Sequence, residues 1–233
     1  GAHPPKYVRT PDISLLKNMQ KWSGGLIKLI TIAAEAPGAE AFARAAVKMG
    51  ITVSLGHSLA TAADINRLAK AGARALTHLG NGIPNLLHRH NNPVWAGLAN
   101  DALSAMLITD GHHLPAPAIK AMISAKGVDR IIVVSDASSL AGLPPGRYRD
   151  NETNNVVVIE KSGLLHNPVK QCMVGSSATM IQCMNHLASL GILGLDDMIK
   201  VGFYNPLKMI GVNPRQVPPC RKFTFGRKGF KIS

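Results

Sequence analysis

The sequence has 233 residues with a formal net charge of +13, and 46% of the residues are hydrophobic. This length and apolar fraction allow a sizeable core and exclude a globally disordered chain. No apolar run approaches a bilayer span, because Lys28, Glu35 and Asp110 interrupt the best candidates, so we expect no membrane partner.

Five apolar runs alternate with helical patterns along the first 135 residues. The predicted strands are 26–34, 51–55, 74–79, 103–109 and 130–135. The predicted helices between them are 38–49, 61–71 and 118–125; Pro37, Thr61 and Pro117 mark their starts, and Gly50, Gly72 and Gly127 mark their ends. Continuous apolar strands that alternate with helices are typical of a parallel sheet covered on both faces. Beyond Asp136 the pattern changes to a strand at 156–160 and helices at 176–190 and 195–203.

This alternation suits either an open doubly wound sheet or a (β/α)8 barrel. The glycine-rich turns GxGxxG and GxxxxGK[ST] of nucleotide-binding sheets do not occur here. Barrel enzymes instead take functional residues from the carboxyl ends of several strands. Polar residues lie at or after the carboxyl ends of all five predicted strands: Glu35, His57, His78, Asp110, His112, His113 and Asp136. We therefore predict an α/β fold, a TIM-like (β/α)8 barrel.

Two of these strand-end residues, His57 and His78, are separated by one βα unit, so both imidazoles should reach a common centre at the barrel rim. Neutral imidazole is a good ligand for zinc and similar divalent ions. Asp136 on the same rim could exchange protons with a water as a general acid and base. Each residue also has a plainer interpretation, since a lone strand-end histidine is more often a hydrogen-bonded core residue and Asp136 could cap a turn. Their joint occurrence favours a hydrolytic metal site.

The cysteines and the distribution of charge indicate the cellular compartment and whether the chain binds nucleic acid. Cys172, Cys183 and Cys220 form no CxxC pair, which argues against disulfides and a cysteine zinc site and fits a cytoplasmic protein. Residues 1–30 contain five Lys or Arg and one acid, and residues 215–233 contain six and none. The tail interleaves phenylalanines that could stack on bases, but a terminal strand pair, or ends that meet an acidic part of a longer protein, explains it better. We do not expect nucleic acid as a partner.

Eight motifs stand in order along the chain: GAHPPKYVR (1–9), GHS (56–58), THLGN (77–81), ITDGHHLP (108–115), VVSDA (133–137), AGLPPGRY (141–148), VGSSATM (174–180) and YNPLKMIG (204–211). Together they resemble the N-acetylglucosamine-6-phosphate deacetylase family of the amidohydrolase superfamily. The resemblance implies that residues 1–212 form a partial metal-dependent hydrolase barrel, strands 4–8 of eight with late helices. Residues 213–233 would be the remnant of a small β domain.

The resemblance also implies the chemistry of the site. His57 and His78 would be metal ligands, Asp136 the catalytic acid and base, and His3 a residue that holds and polarises the acetamide. The reaction would convert N-acetylglucosamine 6-phosphate to glucosamine 6-phosphate and acetate. The metal would be zinc, with iron, manganese or cobalt as alternatives, and one or two ions remain open. A glutamate ligand of the family precedes the matched segment, and Glu35 follows a different strand, so the fragment could be inactive alone.

Substrate binding would involve four further residues under this resemblance. Asn81 and Gly82 would contact the sugar, and Arg89 and His113 would meet its phosphate. Arg89 would reach the neighbouring site of a homodimer, where its guanidinium can form a paired contact with phosphate. Two alternatives stay open: another N-acyl sugar phosphate such as the galactosamine isomer, and a non-catalytic basic binding module that reuses the fold.

Overall fold

Five parallel strands form the central sheet of this computed structural model, which describes residues 3, 5–150, 154–218, 222–226 and 229–232. The strands are β1 (Leu29–Ile32), β2 (Thr52–Leu55), β3 (Ala75–Leu76), β4 (Ser104–Ile108) and β5 (Ile131–Val134), and they pair in sequence order. A doubly wound sheet reverses its strand order at a switch point, whereas a barrel keeps chain order. The predicted barrel architecture is therefore confirmed as a partial barrel, and all five predicted strands are present with shorter bounds.

Five helices accompany the sheet: α1 (Ile13–Trp22), α2 (Ala39–Lys48), α3 (Ala62–Lys70), α4 (Pro93–Ala99) and α5 (Ala116–Lys126). The start of α3 is fixed by a capping box between Thr61 and Asp64. The sequence prediction missed α1 and α4. In α4 a Cβ on Gly97 would lie 2.8 Å from Leu76 Cδ1, so the glycine allows the helix to approach β3 closely. None of the helices in the described ranges combines the length and apolar character that a bilayer crossing requires.

The chain after β5 makes an excursion into a separate antiparallel sheet. Its strands are β6 (Gly146–Arg149), β7 (Val156–Ile159), β8 (Leu165–Asn167) and β9 (Cys172–Met173), of which only β7 was predicted. A small core of its own holds this sheet together: Leu140, Val157, Ile159 and Leu165. A single parallel bridge between Ala137 and Ser176 joins the two ends of the excursion.

The last part of the chain is helical and then forms a hairpin. The helices are α6 (Met180–Ser189), α7 (Leu195–Ile199) and α8 (Asn205–Met209), with a π-helical turn Lys200–Tyr204 between the last two; the hairpin consists of β10 (Phe223–Gly226) and β11 (Gly229–Ile232). The side-chain amide of Asn185 holds β11 on α6, since it accepts from the Phe230 N–H at 2.6 Å and donates to the Phe230 carbonyl at 3.1 Å. Cys220 lies outside the described residues.

One face of the central sheet carries a cluster of hydroxyl groups near the ends of β1, β2 and β3. Thr77 Oγ1 lies 2.9 Å from Thr31 Oγ1 and 2.5 Å from Ser54 Oγ, so three neighbouring strands share one hydroxyl cluster. Gly56 packs against Thr77, where a Cβ would lie 2.7 Å from the Thr77 Cβ. These contacts fix the carboxyl ends of β1, β2 and β3 relative to one another, directly before the strand-end histidines.

Candidate metal centre and substrate site

The two strand-end histidines meet at the carboxyl edge of the sheet. Nε2 of His57 lies 2.8 Å from Nε2 of His78, and the two ring planes are inclined by 80°. His57 follows β2 and His78 follows β3, so adjacent strands deliver the two rings. This separation is that of a hydrogen bond in which one ring donates and the other accepts, and it brings the two nitrogens near enough to share one ion.

The backbone at this edge is strained. His57, His78 and Asp136 have φ angles of 49°, 31° and 51°, in the left-handed region that costs a non-glycine residue about 1–2 kcal/mol. Among the described residues, the other non-glycine positions with positive φ are Asn154 and Gln171, in the loops of the small sheet. Strain of this kind concentrates at functional sites. Three strand ends therefore share a conformation that stability alone does not favour.

The environment keeps both imidazoles neutral. Burial lowers the pKa of His57 to about 4, with further lowering from the nearby His78 and His3. Burial also lowers the pKa of His78; the charge of Asp136 opposes this, while His113 and His3 add to it. Both rings are therefore unprotonated at neutral pH, which is the form that binds a metal ion.

Two buried polar atoms in this region have no hydrogen-bond partner within the part of the chain that the structure describes. They are Nδ1 of His78 and Nδ2 of Asn81. Buried polar groups are nearly always paired, so an unpaired one requires an explanation. Asn81 stands three residues after His78, and its N–H donates to the His78 carbonyl at 2.9 Å. Both orphaned atoms thus belong to one turn at the edge of the sheet.

Gly82 leaves room for both rings. A Cβ at this position would lie 2.8 Å from His57 Nδ1 and 3.0 Å from His78 Cε1, and the φ of +65° also favours glycine. The position therefore serves as a cradle against which the two imidazoles pack.

Replacing Gly82 with Ala is expected to displace both imidazoles and to weaken Zn²⁺ binding by about tenfold or more, as for other changes that misorient ligands. Gly24 provides the matched control, since it has a φ of +63° and a Cβ there would meet nothing within 4 Å. Gly24→Ala should cost a similar backbone strain and leave Zn²⁺ affinity unchanged. Isothermal titration with Zn²⁺ measures the affinity, and equal affinities for the two variants would contradict the cradle.

The described residues do not form a complete metal-ligand set. Within the described ranges, no group of three or more His, Cys, Asp or Glu side chains is arranged to hold a metal ion. Catalytic zinc sites commonly use three protein ligands and a water, so the two imidazoles fit such a site as two of its donors. Glu35 does not join them: its carboxylate accepts hydrogen bonds from the Leu59 N–H, at 2.7 Å, and from the Ser58 hydroxyl. It fixes the loop after His57 instead.

The other predicted catalytic residues lie around the imidazole pair. His3 is exposed and stacks on His57, with ring centroids 4.1 Å apart and planes inclined by 13°. Asp136 is exposed at the end of β5, and its charge acts on His78. The edge therefore has an open side on which a substrate could approach both groups.

The four predicted substrate residues are distributed differently. Asn81 and Gly82 adjoin the imidazole pair, as described above. The side chain of His113 is 6% exposed, and its Nδ1 lies 2.8 Å from Asp110 Oδ2. Arg89 is exposed on the loop before α4, where its carbonyl accepts from Trp95 Nε1 at 2.9 Å. Among the described residues no hydrogen bond joins Arg89 to the rest of the predicted site.

Sequence reasoning missed one residue that the structure brings to this site. Ser176 is buried, donates its N–H to the Asp136 carbonyl at 2.8 Å and donates its hydroxyl to Asp110 Oδ2 at 2.6 Å. The Gly-Ser-Ser run at 175–177 was recognised only as part of a motif. No local pattern marks a serine that contacts a residue 66 positions earlier.

The Asp110 network makes a prediction for stability against pH. Burial raises the pKa of Asp110, but hydrogen bonds from His113, Ser176 and the His112 N–H outweigh it and hold the pKa well below its usual range. The unfolded chain therefore takes up a proton at about pH 4 that the folded chain refuses, so stability is lost as the pH falls below that value. In urea unfolding between pH 6 and pH 3, Asp110→Asn should lose less stability than the parent. The exposed Asp101→Asn should follow the parent, and parallel curves for all three would contradict this account.

Several proteins of known function are similar to this chain in sequence. No protein-family profile matches the chain. It is 33% identical to N-acetylglucosamine-6-phosphate deacetylase of Lysinibacillus sphaericus, over 90% of this chain and 53% of that protein. It is 31% identical to the same enzyme of Bacillus subtilis (strain 168), over 93% of this chain and 54% of that protein. N-acetylgalactosamine-6-phosphate deacetylase of Escherichia coli O157:H7 is 30% identical, with coverages of 91% and 55%.

Solved structures agree with these relatives. A mutant of N-acetyl-D-glucosamine-6-phosphate deacetylase from Mycobacterium smegmatis, in complex with N-acetyl-D-glucosamine-6-phosphate, superposes with a TM-score of 0.83 at 25% identity, over 91% of this chain and 56% of that one. The deacetylase from Thermotoga maritima superposes with a TM-score of 0.80 at 29% identity, with the same coverages. The chain spans about half the length of the curated relatives it matches. Over about 90% of its own length, the chain is related to the N-acetylglucosamine-6-phosphate deacetylases and has the fold of their barrel.

Proposed function

We propose that this chain forms the catalytic part of a metal-dependent amidohydrolase, which hydrolyses the N-acetyl amide of N-acetylglucosamine 6-phosphate in amino-sugar catabolism. The products would be glucosamine 6-phosphate and acetate. The observation that carries this proposal is the convergence of two neutral imidazoles, 2.8 Å apart, on strained strand ends that adjoin Asp136. The names of the relatives support the choice of substrate.

His57 and His78 would hold the divalent cation, for which zinc is the first choice. Such an ion, when bound, polarises a carbonyl oxygen and makes a water molecule more acidic. Their neutral state and the cradle at Gly82 support this role, since a neutral imidazole keeps a lone pair on one ring nitrogen whereas an imidazolium has none.

Asp136 would act as the general base and then as the general acid. Its carboxylate takes a proton from the attacking water and returns it to the departing amine. His3 would hold the acetamide carbonyl, which agrees with its stacked position on His57 beside the reacting centre.

The remaining residues would bind the sugar phosphate. Asn81 would donate from its unpaired buried amide, and Gly82 would contact the sugar through its backbone. His113 would meet the phosphate. Arg89 would do so from the neighbouring subunit of a homodimer; its exposed loop supports contact with another molecule, and a guanidinium binds phosphate with two parallel hydrogen bonds.

Acetate release from N-acetylglucosamine 6-phosphate in the presence of Zn²⁺ tests the proposal. Unphosphorylated N-acetylglucosamine is the matched control substrate, and it should react far more slowly if Arg89 and His113 bind the phosphate. Equal rates would contradict these two roles. If a protein that contains this segment together with a third metal ligand binds Zn²⁺ but releases no acetate from either substrate, the proposed function is wrong.

A second candidate substrate is the galactosamine isomer. Relatives from Escherichia coli and from Shewanella sp. (strain ANA-3) are N-acetylgalactosamine-6-phosphate deacetylases, at 30% and 28% identity. The isomers differ only in the orientation of one hydroxyl, so the ratio of their kcat/KM values decides between them. A ratio in favour of the galactosamine isomer would replace the first proposal.

A further inference from the structure

Asp110 is a buried carboxylate that the proposed chemistry does not use. Its side chain is 2% exposed at the carboxyl end of β4, on the same edge as His57 and His78. Oδ1 accepts the N–H groups of His112 and His113 at 2.9 and 3.0 Å. Oδ2 lies 2.8 Å from His113 Nδ1 and accepts the Ser176 hydroxyl at 2.6 Å. Four hydrogen bonds at one buried carboxylate indicate a dedicated position rather than a solvated surface charge.

This network determines which nitrogen of His113 carries a hydrogen. The four donors hold the pKa of Asp110 well below its usual range against the opposing effect of burial, so the carboxylate is ionised at neutral pH. An ionised carboxylate can only accept hydrogen bonds. Nδ1 of His113 must therefore be the donor, and Nε2 is the ring nitrogen outside this hydrogen bond.

The same carboxylate reaches the residue proposed as the catalytic acid and base. Ser176, whose hydroxyl binds Asp110, donates its N–H to the Asp136 carbonyl at 2.8 Å and accepts the Ser138 N–H at 2.9 Å. The preceding Gly175 has a φ of +64°, and a Cβ there would lie 2.9 Å from the Asp136 carbonyl oxygen. Residues 175–176 are thus pressed against the main chain of Asp136 on one side and bound to Asp110 on the other.

We propose that Asp110 is a positioning residue that fixes the Nδ1–H tautomer of His113 and, through Ser176, the main chain of Asp136. One carboxylate would then set a substrate-binding imidazole and a catalytic carboxylate in a constant relation to each other. Catalytic geometry tolerates little error, since a displacement of about 1 Å can lower a rate by about 10²-fold. The effect of Asp110 on catalysis rests on the proposed function, whereas its positioning of His113 and of the Asp136 main chain does not.

The first test measures the tautomer of His113 in the 233-residue protein labelled with ¹⁵N histidine, at a pH where free histidine is neutral. His113→Gln identifies its signals. Asp110→Asn keeps the shape of the side chain but offers either an oxygen or an NH2 group to Nδ1, so the ratio of Nδ1–H to Nε2–H tautomers should fall by about tenfold or more. Asp101, an exposed residue before β4 that pairs with Arg130, provides the control, and Asp101→Asn should leave the tautomer ratio unchanged. An unchanged ratio in Asp110→Asn would overturn the proposal.

The second test measures hydrogen exchange of the Ser176 amide, which donates to Asp136. Ser176→Ala removes the hydroxyl that binds Asp110 and keeps the backbone, so it remains informative even if Asp110→Asn fails to fold. Exchange of the amide at position 176 should be faster in Asp110→Asn and in Ser176→Ala than in the parent. The Ser177 hydroxyl binds the Gly163 carbonyl instead, so Ser177→Ala should not change this exchange rate. Parent-like exchange in Ser176→Ala would overturn the link to Asp136. Neither measurement requires activity, so a parent that releases no acetate bears on the proposed function alone.

Discussion

Asp136→Asn is expected to lower the rate of acetate release by about 10²–10⁴-fold, the usual contribution of a general acid and base. The backbone conformation at position 136 makes asparagine a suitable replacement. Asp136 has a φ of 51°, and asparagine is among the residues that adopt this region most readily. The variant should therefore keep the strand end and the contact with Ser176, and lose only the ability to take up and return a proton.

The measurement is kcat with N-acetylglucosamine 6-phosphate at saturating Zn²⁺. Asp101→Asn removes an exposed carboxylate before the amino end of β4, away from the strand ends of the site, and should keep the parental rate. A parental kcat in Asp136→Asn would show that another group transfers the proton. A large fall in Zn²⁺ affinity in this variant would instead assign Asp136 to the metal.

His57→Asn and His78→Asn should each reduce Zn²⁺ affinity by more than about 10²-fold, since even groups that merely orient a ligand cost about 10–100-fold when removed. Asparagine again preserves the backbone, because the two histidines have φ angles of 49° and 31°. If both imidazoles bind one ion, either substitution destroys the site, and the double variant should be little weaker than the singles.

Isothermal titration with Zn²⁺ of the parent, the two single variants and the double variant gives a complete double-mutant cycle. His90→Asn, on the exposed loop before α4, is the control for loss of a histidine and should bind as the parent does. Additive losses in the double variant would mean that His57 and His78 bind separate ions. Unchanged affinity in either single variant would remove that residue from the ligand set.

The central sheet could be predicted because its strands are continuous apolar runs with polar residues directly after them. The short elements could not be predicted in the same way: α4 has seven residues with Gly97 inside it, and β9 has only two residues. The helix predicted at 195–203 is α-helical only to Ile199 and then becomes a π-helical turn before Pro206, a residue that lacks the N–H an α-helix needs. In these places tertiary packing decides over local propensity.

Some features of the candidate site could likewise be predicted from the sequence, and others could not. His57, His78 and Asp136 could be found because strand ends on one edge of a parallel sheet necessarily meet. The unpaired amide of Asn81, the cradle at Gly82 and the contact of Ser176 with Asp110 depend on side-chain positions between distant segments. No spacing rule encodes such contacts, so only the folded chain reveals them.

The bridge between Ala137 and Ser176 has a consequence for how this chain can vary. Because the excursion of β6–β9 leaves and returns at paired residues and has its own core, a change in its length need not displace its two ends. Its turn at Ser162 still contacts the barrel, since the Ser162 carbonyl lies 3.0 Å from Nε2 of His112. Insertions or deletions between β6 and β7 or between β8 and β9 would alter this sheet without moving Asp136, whose main chain is held at the base of the excursion. The architecture thus separates a segment that is free to diversify from the rim that performs the chemistry.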